Sequence, residues 1–180
     1  MATKTDNQII QIFLPIIQDG LITDGFTGVT VKQSNQPTQQ GIPKTPTVYF
    51  FKVSNKRYGF LGRHDEWVVN RMLHHERQYM EITFQIMALV LQFPITPNQY
   101  TASDLVNEVA SIMQSDNTRD ILNQSGIGIL RVTDISNPYF VDDRDQFEAS
   151  PSFDFTLTYQ DDRVSEIAII DEYDYNILTI

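Results

Sequence analysis

Two long stretches of alternating side chains constrain this chain more than any other feature of its sequence. From Gln78 to Leu91 and from Ser152 to Gln160, successive residues change face with period two, as they do in extended strands that rest one face on a core. The first stretch would span roughly 48 Å at about 3.4 Å per residue, which is longer than most globular strands. We therefore expect it to bend at a bulge or to project from the body. Its apolar face comprises Ile82, Phe84, Ile86 and Ala88, and that of the second stretch comprises Phe153, Phe155, Leu157 and Tyr159.

Two helices are predicted by apolar residues at helical spacing. Thr101 to Gln114 is the stronger of the two, because Thr101 and Asp104 are spaced as a capping box. In the other helix Asp6 is the predicted cap, and Pro15 should kink it unless it begins late, near Ile12. The apolar stripe of the stronger helix is Leu105, Val106, Val109, Ile112 and Met113, and that of the other is Ile9, Ile10, Phe13, Leu14 and Ile17.

The remaining segments indicate an α+β fold. We predict a mainly antiparallel sheet with two principal helices packed on one face, in a single domain over residues 1–180, with long loops or a projecting hairpin. Thr47 to Val53 and Arg57 to Leu61 are predicted to form a hairpin that turns at Ser54 and Asn55. Further short elements are expected at Val29 to Gln33, Asn117 to Asn123, Ile127 to Val132 and Ile167 to Ile170, with long loops at Ser34 to Pro46 and Ile135 to Pro151.

Charge is distributed unevenly along the chain. The net charge is −10, yet the segment from Lys44 to Arg77 carries seven basic and three acidic residues, whereas Asp142 to Asp174 carries two basic and eleven acidic residues. An acidic protein is poorly suited to grip nucleic acid phosphates. The asymmetry predicts an electrically polarised molecule that suits head-to-tail self-association, although a solvated acidic face explains it equally well.

The sequence also indicates the cellular compartment of the protein. Met1 to Gln8 lacks the charged start and apolar run of a signal peptide, and the apolar stretches are shorter than the roughly 20 residues of a membrane span. We therefore expect a cytosolic protein without a membrane partner. The absence of cysteine rules out disulfides, thiol catalysis and cysteine zinc sites.

Catalytic constellations are sparse. The densest cluster of potential metal ligands runs from His64, Asp65 and Glu66 to His74, His75 and Glu76, but its spacing matches no metalloenzyme motif, and the adjacent histidines should point to opposite faces of a strand. No serine occupies a nucleophile elbow, and the glycines fit no phosphate-binding loop. We predict no catalytic residue, no cofactor and no metal site. A small metal-dependent hydrolase that uses the histidine cluster is retained as a remote alternative.

The order of the elements resembles the tail terminator, or neck terminator, proteins of long-tailed and particularly contractile-tailed bacteriophages. The resemblance covers most of the chain. It is carried by an N-terminal helix, one capped helix and four short segments: Val31-Lys32-Gln33-Ser34-Asn35-Gln36-Pro37, Pro46-Thr47-Val48-Tyr49-Phe50, Glu76-Arg77-Gln78-Tyr79 leading into Ile82-Thr83-Phe84-Gln85-Ile86, and Phe153-Asp154-Phe155-Thr156-Leu157.

That resemblance implies a structural virion protein. Members of this family form a homo-hexameric ring that caps the tail tube, ends its polymerisation and joins the tail to the head. The implied partners are other copies of the chain, the tail tube protein, the sheath and the head-tail connector, with DNA passing through without specific binding. Virion proteins of this kind are assembled in the host cytoplasm. Another neck, baseplate or injection-machine adaptor is the alternative.

Loop position and charge then select the residues that we expect at interfaces. They are Asn35, Gln36, Arg57, Arg63, Trp67, Arg71, Arg77, Asp142, Asp143 and Asp145. Trp67, the only tryptophan, suits an interface anchor as well as a half-buried core position.

Overall fold

Three long strands form the frame of the structure, and helices cover one face of it. The computed structural model describes residues 4–34, 45–91, 99–141 and 147–168. In chain order the elements are α1 (Asp6–Thr23), β1 (Thr30–Gln33), β2 (Thr47–Val68), β3 (Arg71–Leu89), α2 (Ala102–Gln114), α3 (Asp116–Gln124), β4 (Ile127–Val132), β5 (Tyr139–Val141), β6 (Phe147–Ala149) and β7 (Ser152–Ile167).

The main sheet has the strand order β1-β2-β3-β7-β4. Only the β1–β2 pairing is parallel, and the other three pairings are antiparallel. The short strands β5 and β6 pair with each other in a separate two-stranded sheet. The predicted α+β class, with a mainly antiparallel sheet and helices on one face, is confirmed.

The core lies between the helices and the front face of the sheet. Residues Ile82, Phe84, Ile86 and Ala88 of β3 are fully buried, as the alternation predicts, while their neighbours on the other face are only half-buried. Phe13 of α1 sits at the centre. Its ring packs edge-on against Phe50, Phe84 and Phe155, with centroid distances of 5.2, 4.9 and 5.3 Å.

The N-terminal helix begins earlier than its proline suggested. Thr5, not Asp6, is the N-cap: the Thr5 hydroxyl accepts a hydrogen bond from the Gln8 amide, and the Gln8 side chain accepts one from the Thr5 amide. Pro15 lies inside the helix on its exposed side, so the predicted early start is correct to within one residue and the alternative start near Ile12 is wrong. Burial of Ile9, Phe13 and Ile17 offsets the hydrogen bond that the proline removes.

Helix α2 agrees closely with its prediction. Thr101 caps it, the Thr101 hydroxyl accepts from the Asp104 amide, and the Asp104 carboxylate accepts from the Thr101 amide at 2.7 Å. All five residues of the predicted stripe are buried. Ser115 ends α2 and caps α3, which extends the short helical turn expected around Asn117.

The strand boundaries differ most from expectation. The predicted turn at Ser54 and Asn55 is wrong, because β2 runs through both residues to Val68 with only a register shift beside them. The chain turns instead at Val69 and Asn70, and β3 begins at Arg71, seven residues before the predicted start of the strand. Strand β7 likewise continues past Gln160 to Ile167, so Ile167 ends this strand and does not begin another.

The two long loops are described only in part. Residues 35–44 of the first loop and residues 142–146 of the second lie outside the described residues. The second predicted loop contains β5 and β6, which the sequence did not predict. Among the helices described, none is long and apolar enough to cross a membrane.

Phe13 provides a direct test of this core. Phe13→Ala should lower the free energy of unfolding by about 3–5 kcal/mol, because it leaves a cavity between three other phenylalanine rings. Urea denaturation would measure the change. Phe60→Ala is a matched control, since Phe60 is 99% exposed and its loss should cost less than about 0.5 kcal/mol. Equal losses in the two variants would contradict this description of the core.

Candidate interaction surfaces

The far ends of three strands form an exposed arm. We define the arm as residues 56–80, which contain the end of β2, the turn and the start of β3, together with residues 160–167 of β7. No residue between positions 56 and 80 is buried, so no helix covers this part of the sheet. Seven large hydrophobic side chains are exposed on the arm: Tyr58, Phe60, Leu61, Trp67, Val69, Tyr79 and Val164. These side chains are distributed over both faces of the arm, and so many exposed hydrophobic side chains in one element indicate a protein-binding role.

A bulge in β2 displays part of this surface. Tyr58 pairs with Tyr79 and Gly62 pairs with Arg77, so two residues of β2 have no counterpart on β3. Gly59 adopts a φ of +70°, which glycine tolerates and other residues rarely do. Gln78 holds the base of the bulge by donating from its side-chain nitrogen to the Tyr58 carbonyl at 2.6 Å. The result is that the Phe60 side chain is 99% exposed.

The residues around Phe60 are basic. The bulge segment, defined as residues 56–63, has the sequence KRYGFLGR, which contains three basic residues and no acidic one. Arg63 forms an ion pair with Glu76 at 3.3 Å across the strands. Arg57 has no ion-pair partner among the described residues. The bulge segment is therefore an exposed, positively charged and partly aromatic surface.

Opposite charges meet within the arm. Arg77 pairs with Asp162 at 3.3 Å, and Arg71 pairs with Glu166 at 3.7 Å, because β7 lies beside β3. Part of the basic segment and part of the acidic segment are therefore adjacent here, and these two ion pairs reduce the predicted polarisation of charge. Within the described residues, the lysine and arginine side chains of the arm that form no ion pair are Lys56 and Arg57, both in the bulge segment.

The histidines of the predicted cluster divide between two faces of the arm. On the core side, His74 contacts Asp65 at 2.6 Å. On the other side, the rings of His64 and His75 stack with a centroid distance of 4.5 Å, and His75 Nε2 lies 3.4 Å from Glu66 Oε2. The expectation that His74 and His75 point apart is confirmed.

His64, Glu66 and His75 approach a metal site more closely than any other group in the described residues. Their potential ligand atoms lie within 4.8 Å of one another. Donors to one tetrahedral zinc ion are about 3.3 Å apart, given zinc–nitrogen distances of about 2.0–2.1 Å. His75 Nε2 is buried without a hydrogen bond. Zinc would require the stacked rings to move, so we interpret the three residues as a structural contact between β2 and β3.

The residues predicted at interfaces fall into two groups. Arg57, Arg63, Trp67, Arg71 and Arg77 all lie on the arm, and Trp67 is 58% exposed at its tip. Asn35, Gln36, Asp142, Asp143 and Asp145 lie outside the described residues. The structure thus brings the five basic and aromatic predictions onto one projecting element.

A second surface, the helix groove, lies between α1, α2 and α3. It is a cavity of about 540 Å³, open to solvent, with a mainly apolar lining. Gly20 allows the helices to approach, because a Cβ at this position would lie 2.8 Å from the Ile112 side chain. Apolar residues of the lining are Ile12, Pro15, Ile16, Ile112 and Ile121, and its acidic residues are Asp19, Asp24 and Glu108. Among the described residues, none that lines the groove is basic.

Two carboxyl groups of the helix groove interact unfavourably. Burial raises the pKa of Glu108, and the hydrogen bond and negative charge of Asp24 raise this pKa further. Two neighbouring carboxylates repel each other unless one of them is protonated or a cation lies beside them. The groove is therefore suited to a positively charged partner.

Sequence reasoning missed both the bulge and the groove. Gly59 and Gly62 within a strand pattern are a recognised signal of a bulge, and they flank the exposed Phe60 and Leu61. The groove has no comparable signal in the sequence. Its acidic residues are Asp19 in α1, Asp24 just after α1 and Glu108 in α2, and they meet only through helix packing.

The histidine contact predicts an apoprotein. After incubation with zinc and buffer exchange, native mass spectrometry should show the mass of the chain alone, because the ligand atoms are not arranged for tetrahedral coordination. Stoichiometric zinc that is lost in His75→Gln and retained in His74→Gln would contradict this interpretation. It would also support the alternative of a metal-dependent hydrolase.

The carboxyl pair predicts a pH-dependent effect of Glu108→Gln. A raised pKa in the folded state means that Glu108 favours folding below its unfolded pKa and that this contribution is lost as the pH rises through the folded value. The variant should therefore have a slightly higher Tm than the parent at neutral pH, and the difference should vanish near pH 4, roughly the ordinary pKa of glutamate. Glu81→Gln, which removes the same charge on the other side of the sheet, is the control. A lower Tm for Glu108→Gln at neutral pH would contradict the prediction.

Comparison with known proteins identifies the family. The family model described as E217 gateway protein gp29 matches residues 8–169, which include both the arm and the helix groove. No curated protein matches the chain. Because the match covers most of the sequence, the chain belongs to the E217 gateway protein gp29 family and is a structural gateway, or neck, protein of a bacteriophage virion.

Proposed function

We propose that this gateway protein acts as the tail terminator of a contractile-tailed phage. Six copies form a ring that caps the tail tube, ends its polymerisation and joins the tail to the neck. The ring contacts the tail tube protein, the sheath and the head-tail connector, and DNA passes through it without specific binding. Assembly takes place in the host cytoplasm, and the role is structural and not enzymatic.

The observation that carries this proposal is the exposed arm. A protein that functions as an isolated monomer gains nothing from seven exposed hydrophobic side chains on an uncovered sheet. The five interface residues predicted from the sequence that fall in the described part of the chain are all located there. The arm therefore supplies the contact surface that a ring or a joint requires.

A ring follows if the arm of each copy meets the helix groove of the next copy. The arm and the helix groove are different surfaces of the same chain, and such a contact is heterologous when it is not returned between the same two copies. Heterologous contacts repeat from copy to copy and close into a ring when the rotation between copies divides a full turn. This is the symmetry of a cap on a tube.

A different adaptor role within the neck, baseplate or injection machine is the closest alternative. Such an adaptor would use the same exposed arm to join two other components without controlling tail length. The two roles differ in one observable, the length of tails that assemble when the protein is missing.

We would test the proposal by disrupting this gene in its parent genome and imaging the lysate by negative-stain electron microscopy. We expect tails of uncontrolled length that do not join heads, because the growing tube lacks its cap. Complementation with the intact gene should restore uniform tails. Tails of normal length that are joined to heads would reject the terminator role, and normal-length tails that fail to join would favour the adaptor.

A further inference from the structure

The bulge segment and the helix groove have complementary properties. The bulge segment presents the apolar side chains of Tyr58, Phe60 and Leu61 among three basic residues. The helix groove presents an apolar floor among three acidic residues. Its volume of about 540 Å³ lies within the roughly 300–1,000 Å³ of typical ligand pockets, so it can accept an aromatic side chain and its neighbours.

The groove is not filled by the arm of its own chain. Phe60 is 99% exposed, and Tyr58 is 64% exposed, so neither side chain contacts the groove within the same molecule. Each chain therefore has one protruding surface and one receiving surface, both unsatisfied. A second copy of the chain matches both surfaces in charge and in apolar character.

From these observations we propose that the bulge segment of one copy docks in the helix groove of the next, with Phe60 inserted among Ile16, Ile112 and Ile121. This inference rests on the proposed ring and names its subunit contact. Arg57, which has no ion-pair partner among the described residues, lies within the docking segment, and Glu108 and Asp24 line the receiving groove. Apolar burial of Phe60 supplies attraction, and the opposite charges fix the orientation.

Docking also resolves the unfavourable carboxyl pair of the groove. A guanidinium group beside Asp24 and Glu108 replaces the repulsion of two carboxylates by two favourable interactions. Glu108→Gln should consequently stabilise the isolated chain and weaken its self-association. A residue with only a folding role would not produce these opposite effects.

The absence of cysteine in the chain makes this contact accessible to crosslinking. Leu61→Cys protein and Ser111→Cys protein would be mixed under mild oxidation, so that a disulfide between the two forms only across copies. Ser111 is exposed in the groove, and Leu61 follows Phe60. We expect a crosslinked dimer from this mixture. Leu61→Cys mixed with Ser165→Cys, an exposed position on the arm, is the control and should give much less product.

Charge reversal provides an independent test of the same contact. Arg57→Glu and Glu108→Lys should each weaken self-association at least tenfold in analytical ultracentrifugation, and the two variants combined in one chain should recover most of it. Phe60→Ala should weaken it similarly while leaving unfolding unchanged. Rising salt should weaken association of the parent chain, because exposed opposite charges are screened.

Separate outcomes address the contact and the ring. Rings that form without the Leu61–Ser111 crosslink, and that tolerate Phe60→Ala and both charge reversals, would overturn this contact while leaving the terminator role intact. The contact would be established if Phe60→Ala abolished the crosslink and if the chain carrying both Arg57→Glu and Glu108→Lys regained self-association. Normal tail length after gene disruption would instead reject the proposed function, whatever the crosslinking result.

Discussion

The contact between Phe13 and three strands is the interaction on which the rest of the structure depends. One ring from α1 packs edge-on against one ring each from β2, β3 and β7, and Phe84 also stacks on Phe155 at 5.5 Å. This cluster fixes the relative register of the three strands at one end. The same three strands continue beyond the helices as the arm, where β2 pairs with β3 and β3 pairs with β7. The arm is thus a continuation of the strands that the Phe13 cluster joins to α1.

The arm itself is stabilised differently from the body. Where helices cover the sheet, burial of residues such as Ile82 and Leu157 provides the stability, whereas the arm depends on backbone pairing and on ion pairs such as Arg77–Asp162. Exposed ion pairs contribute only about 0.2–1 kcal/mol each. We therefore expect the arm to open at a lower free energy than the core, and docking on another molecule would remove this difference.

The sequence predicted the parts of the fold that follow from local periodicity. The stripe of α2, its capping box and the buried face of β7 were all correct, since each depends on neighbours within one element. The turn of the arm was missed because Val69, the first of its two residues, is unusual for a turn. Val69 occupies a left-handed conformation, with a φ of 59°, where glycine or asparagine would be expected, and Ser54 and Asn55, which do resemble a turn, lie within a strand. Tertiary pairing across the long strands overrides both local signals.

The candidate surfaces were predictable only in part, for a related reason. Basic and aromatic residues of the arm stand out in the sequence because they form one continuous segment, and the structure places Arg57, Arg63 and Trp67, which were predicted at interfaces, in one strand. The groove arises where Asp24 at the end of α1 meets Glu108 in α2, a contact that no local pattern reveals. The exposed Phe60 lowers the solubility of an isolated chain, and the opposed carboxyl groups of Asp24 and Glu108 lower its stability. The proposed contact between two copies would cover Phe60 and bring Arg57 to the two carboxyl groups, so assembly accounts for two features that the folding of one chain does not explain.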